Sequence, residues 1–132
     1  NFPTRVALNA ACVRARKPLV TGAAIRFEGQ VAVFPNDDPA GPCYRCLYSD
    51  EDDNFANCAG QGILAPVAGM IGALLATEAL KLLLSLESGL RNRLWIYDAL
   101  SGATRTVAIR KSPACPVCSG VGAPSGATDE RR

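Results

Sequence analysis

The sequence predicts an α/β fold, and three observations carry that expectation. Stretches of helical period, over residues 3–16 and from Pro66 onward, alternate with stretches of period two around residues 19–33 and 94–110. Two Cys-x-x-Cys pairs, Cys43/Cys46 and Cys115/Cys118, bracket most of the chain, and two such pairs are what a tetrahedral zinc site requires. A hydrophobic fraction of 48% in 132 residues supplies the apolar surface for one small domain.

Composition also excludes function classes. The net charge is only +2 and no Lys/Arg cluster is interleaved with aromatic residues, which argues against a nucleic-acid groove or a polybasic membrane patch. The chain contains no histidine, so Ser-His and Cys-His catalytic pairs are excluded within it, and a zinc ion would be held by thiolates or carboxylates. No basic-apolar-small leader opens the chain, which starts Asn1-Phe2-Pro3. The six cysteines are therefore read as thiols of a cytoplasmic protein and not as a secreted disulfide framework.

Taken in order, Pro3 suits a first helical turn, and Phe2, Val6, Ala10 and Val13 recur at helical spacing until Lys17-Pro18 ends the segment. Cys12 lies off that stripe and reads as a small core residue. Leu19-Val20-Thr21 reads as a short strand. Ile25, Phe27, Val31 and Val33 then alternate with polar or small residues, predicting a second, half-buried strand with a bulge at Gly29. Pro35 to Pro42 is turn chemistry that delivers the chain to the first cysteine pair. Asp50, Glu51, Asp52 and Asp53 mark an exposed acidic loop without the spacing of a calcium site.

The apolar run from Ile63 to Thr77 is shorter than the about 20 residues a bilayer span needs, and Glu78 and Lys81 follow it. It predicts a buried helix stopping near Gly89. Gly69 and Gly72 inside it each cost about 1 kcal/mol against alanine, which predicts close approach of another element, in this chain or a second subunit, along Ala68, Gly69, Gly72 and Ala76. Leu94–Tyr97 and Thr104–Arg110 predict a hairpin turned at Ser101-Gly102, and residues 120–132 a disordered tail after a domain of residues 1–119. Gly60-Gln61-Gly62-Ile63-Leu64-Ala65 satisfies a nucleotide-loop pattern but lacks the preceding strand, so it reads as a flexible helix entry.

The four paired cysteines predict a closed structural zinc site, with no open position for catalysis. Cys58 is left out of that set. It precedes a helix, whose N-terminus would lower a thiol pKa, but follows an acidic run that would raise it; its reactivity stays open on the residues alone.

Asn1-Phe-Pro-Thr-Arg5, Leu8-Asn-Ala-Ala-Cys12, Cys43-Tyr-Arg-Cys46, Cys58 ahead of Gly62-Ile-Leu-Ala-Pro66, Glu78-Ala-Leu-Lys81 and Pro113-Ala-Cys-Pro-Val-Cys118 together resemble the C-terminal half of the MoeB/ThiF/HesA-type adenylyltransferases, relatives of ubiquitin-activating E1 enzymes. The resemblance implies the second half of a Rossmann-like domain with a mixed sheet. It implies an enzyme that uses ATP and Mg²⁺ to adenylate the C-terminal Gly-Gly of a ubiquitin-like sulfur carrier of the MoaD or ThiS type, in molybdopterin or thiamine biosynthesis, and a homodimer. It places structural zinc on Cys43, Cys46, Cys115 and Cys118. Asn1 matches the second member of an Asp-Asn pair at the ATP site, and Cys58 matches a cysteine that in some members forms a covalent bond to the carrier. The glycine-rich loop and phosphate-contacting cations of such enzymes lie upstream of the matching stretch, so this chain alone is expected not to adenylate. The alternatives are a non-enzymatic zinc module that docks a carrier or dimerises, and an ATP-independent sulfur-transfer thiol at Cys58.

Overall fold

A computed structural model describes residues 1–49 and 60–120. Helix α1 (Phe2–Ala15) opens where the Asn1 side-chain oxygen accepts the Thr4 amide at 3.0 Å and Pro3 fills the first turn. It closes at Arg16, whose left-handed backbone (φ 52°) lets its amide bond back to the last turn. Strands β1 (Leu19–Ile25) and β2 (Glu28–Phe34) follow, then the single-turn α2 (Tyr44–Leu47), the long α3 (Ala65–Leu83), and strands β3 (Arg93–Asp98) and β4 (Ala103–Ala108).

The strands form one sheet in the order β1-β2-β3-β4, with every ladder antiparallel. The expected mixed sheet is thus corrected: parallel pairing occurs among the described residues only as isolated bridges, Arg26 with Ile63 and Val33 with Arg91. The first hairpin corrects a second expectation. The alternation from Ile25 to Val33 is not one bulged strand; it is cut by a two-residue turn at Arg26-Phe27, with Ile25 paired to Glu28 and Arg26 at φ 52°. Arg26 also ties the approach to α3 into the sheet, its amide donating to the Gly62 carbonyl at 2.9 Å and its carbonyl accepting the Leu64 amide at 2.8 Å.

Strand periodicity sorts the sheet residues onto two faces. Ala32, Phe34 and Leu94 pack with Leu19, Tyr44 and Ile109 beneath α1 and α2. Val31 packs with Val67 and Ile71 of α3, flanked by Trp95 and Tyr97. The central strand β2 is buried on both faces, so its apolar residues run without interruption from Val31 to Phe34, whereas β4 is exposed along its whole length.

Close helix–sheet approach is achieved by sheet glycines and not by those of the helix. A Cβ on Gly29 would lie 2.5 Å from the Ile71 side chain, and one on Gly22 would lie 3.0 Å from Ile71 and Leu75. Among the described residues, Gly69 and Gly72 have no such neighbour within 4 Å. Accordingly, among the described residues, α3 buries Val67, Ile71 and Glu78, so the expectation of a buried helix holds for one stripe. It is also long and apolar enough to cross a bilayer by length and composition. The helix ends at Leu83, before Gly89, because Ser85 takes the left-handed conformation (φ 55°). Its last turn is pinned by the buried Glu78 carboxylate, which accepts from Lys81 at 2.8 Å and from the Ser88 hydroxyl.

Candidate metal centre

The two cysteine pairs converge. Cys43 is the residue before α2 and Cys46 lies within its one turn, so a three-residue spacing brings both sulfurs to one side. After β4 the chain makes a tight turn in which the Cys115 amide bonds to the Ser112 carbonyl and the Ser119 amide to the Cys115 carbonyl, each at 3.2 Å, aligning Cys115 and Cys118 in the same way. The four Sγ atoms all lie within 4.8 Å of one another, with Cys43 and Cys115 3.7 Å apart and Cys46 and Cys118 3.4 Å apart. A tetrahedral ion about 2.3 Å from each sulfur requires sulfur–sulfur separations of about 3.8 Å; these residues therefore fit a zinc ion. They are far beyond the about 2 Å of a disulfide bond, and all four are free thiols.

Cys43, Cys115 and Cys118 are buried and Cys46 is partly exposed. Burial pushes the Cys43 and Cys118 thiols up, and at Cys118 the hydrogen bonds to Cys46 and Cys115 push further in the same direction. At Cys115 burial also pushes upward, but amide hydrogen bonds from Cys118 and Val117 outweigh it and leave this thiol below its ordinary value. Four sulfurs this close cannot all ionise without a cation among them, so a bound cation would be needed for all four to act together as thiolates. Two backbone amides address Cys46: its Sγ accepts from the Cys43 amide at 3.5 Å and from the Ser112 amide at 3.4 Å. Such donors to sulfur are the usual support of thiolate ligands.

One contributor was not singled out in the sequence. Asn9, fully buried in the middle of α1, donates from Nδ2 to Cys43 Sγ at 3.5 Å and accepts the Tyr44 amide on Oδ1 at 3.1 Å. The available signal was its residue type, since asparagine is a poor interior helix residue. Cys12, expected in the core, is half-buried and packs against the cluster beneath α1 and α2. Asn1 serves as the N-cap of α1. Cys58 and the acidic run Asp50 to Asp53 lie outside the described residues, as does nearly all of the tail predicted over 120–132. The Gly60–Ala65 segment forms a single parallel bridge and then a helix, which matches its reading as a helix entry.

An α/β domain with a four-cysteine cluster that knits its middle to its end is the class these features define. The chain belongs to the ThiF family, whose pattern matches residues 1–117. It is 44% identical over 123 residues to a sulfur carrier protein adenylyltransferase of Thermus thermophilus, a match covering 89% of this chain and 45% of that protein. It is 42% identical over 118 residues to the molybdopterin-synthase adenylyltransferase of Escherichia coli, covering 89% and 47%. The adenylyltransferase and sulfurtransferase MOCS3 of Drosophila yakuba is 45% identical over 122 residues, covering 90% and 26%. The chain thus spans less than half the length of these relatives. Among solved structures, E. coli MccB crystallised with AMPCPP and MccA superposes with a TM-score of 0.69 at 20% identity, covering 89% of this chain and 37% of MccB, a likeness of fold.

Proposed function

We propose that the protein to which this chain contributes adenylates the C-terminal glycine of a ubiquitin-like sulfur carrier. The observation that carries this reading is 42–45% identity, over about nine-tenths of the chain, to proteins named for adenylylation. In the reaction a carrier carboxylate oxygen attacks the α-phosphorus of ATP, the bond to the β-phosphate breaks, and pyrophosphate leaves. A bound Mg²⁺ would neutralise the phosphates, and the glycine-rich loop that holds them is assigned to the portion of such enzymes upstream of the matched segment. Within this chain, Cys43, Cys46, Cys115 and Cys118 hold structural zinc, Asn1 borders the nucleotide site, and Cys58 is the candidate thiol for a covalent carrier intermediate. The carrier presents a C-terminal Gly-Gly, and the thiol chemistry suits the reducing cytoplasm.

The same reading includes a homodimer. It is supported by the small-residue face of α3, where Ala68, Gly69, Gly72 and Ala76 are exposed and, among the described residues, no other element would meet a Cβ at either glycine within 4 Å. Carrier-dependent exchange of labelled pyrophosphate into ATP tests the activity. The chain alone is expected to show none, and the chain joined to the nucleotide-binding segment of a relative is expected to show exchange that depends on the carrier's terminal glycine. Absence of exchange in the joined protein, with zinc bound and the protein folded, would overturn the reading in favour of a carrier-docking module.

A further inference from the structure

Asn9 occupies a position that helix propensity and burial both disfavour for its residue type. It lies inside α1 with no solvent exposure, where a carboxamide is destabilising unless its polar atoms are paired. Both of its side-chain polar atoms have partners, and the partners fix its orientation. The Tyr44 backbone amide can only donate, so the atom facing it at 3.1 Å is the carboxamide oxygen. The amino group therefore faces the Cys43 sulfur, 3.5 Å away. One side chain thus caps an amide of the first turn of α2 and donates to a sulfur of the cluster, joining α1 to the knuckle through two bonds.

We propose that Asn9 is an outer-sphere positioning residue of the metal centre, holding Cys43 Sγ in its ligating direction and tempering its negative charge so that the site retains its ion. The proposal rests on the zinc reading above. An N–H donor lowers the energy of the sulfur lone pairs without competing for the coordinating one, and a neutral amide cannot protonate the thiolate. The Tyr44 bond supplies rigidity, because moving the carboxamide away from sulfur would also strip a buried backbone donor of its acceptor.

The test uses the full chain loaded with zinc or cobalt. Asn9→Asp keeps an oxygen for the Tyr44 amide and replaces the donor to sulfur with a carboxylate oxygen. It is expected to speed zinc transfer to a chromophoric chelator about tenfold or more and to move the sulfur-to-cobalt charge-transfer band to lower energy. Val31→Ala, which destabilises the opposite layer of the core, is expected to leave that band in place. A wild-type band position in Asn9→Asp, with zinc transfer no faster than in Val31→Ala, overturns the proposal. Should Asn9→Asp fail to fold, the wild-type chain loaded with ¹¹³Cd answers the question. A scalar coupling between cadmium and an Asn9 side-chain amide proton is expected, and its absence in a spectrum that shows the coupling from the Ser112 amide overturns the assignment. A wild-type chain that binds no metal stoichiometrically overturns the zinc reading as well, which separates the two failures.

Discussion

At the residue scale the cysteines are expected to divide by role. Cys43→Ser is expected to release the ion and destabilise the domain, whereas Cys58→Ala is expected to leave zinc content and melting temperature nearly unchanged; native mass and thermal unfolding check both. Equal zinc loss in the two variants would remove that division. Glu78 offers a second test. Its carboxylate is buried between Lys81 and the Ser88 hydroxyl, so Glu78→Ala leaves a hydroxyl and an ammonium without their acceptor and is expected to cost about 1–3 kcal/mol in urea unfolding. Asp37 behaves differently because it is exposed. The Arg91 hydrogen bond at 2.6 Å holds its carboxyl below the ordinary value of 3.8. The pair's contribution is therefore present above that value and lost as pH falls through the lower folded one, and solvent and salt confine it to about 0–1 kcal/mol. The stability difference between wild type and Asp37→Asn is expected to shrink below pH about 4 and to shrink at neutral pH in high salt. The four-cysteine cluster was legible from residue type and spacing alone, as two cysteine pairs in a histidine-free chain. Asn9 was not, because the partners of a buried amide are set by tertiary contacts that no local pattern encodes.

At the element scale the packing of α3 on the sheet depends on the missing Cβ atoms of Gly22 and Gly29. Gly29→Ala would drive a methyl into Ile71, separated by only 2.5 Å, and is expected to destabilise the fold by about 1–3 kcal/mol. Combining it with Ile71→Val should recover part of that loss, a coupling visible in a double-mutant cycle of denaturant midpoints. Helices α1 and α3 and the β3–β4 hairpin were readable, since Pro3, Lys17-Pro18, Pro66 and Ser101-Gly102 punctuate them with turn and cap chemistry. The β1–β2 turn was not. Arg26-Phe27 contains none of the Gly, Asn or Asp that usually mark a two-residue turn, and the conspicuous Gly29 serves packing against α3 instead of a bulge. The helix glycines meet no other element among the described residues, which leaves the second-subunit half of that expectation for the homodimer proposed above.

At the scale of the whole molecule, the sheet separates two layers of different character. On one side α3 contributes a stripe of aliphatic contacts; on the other, α1, α2 and the C-terminal turn are gathered by the sulfur cluster. Chelation is therefore expected to loosen the α1/α2 layer first, seen as faster amide exchange over residues 2–15 and 43–48 than over 67–78; uniform acceleration across both would show that the layers unfold as one. The joined sulfurs lie 72 positions apart in the chain, and this has a consequence for how the protein comes into being. During synthesis the first pair emerges long before the second, so it waits as two solitary thiols while the sheet is assembled. Only when Cys118 has left the ribosome can the four-sulfur cage close. Capture of an ion by all four sulfurs would therefore have to follow assembly of the sheet, and a chain cut short before its second knuckle is expected to fail to hold one.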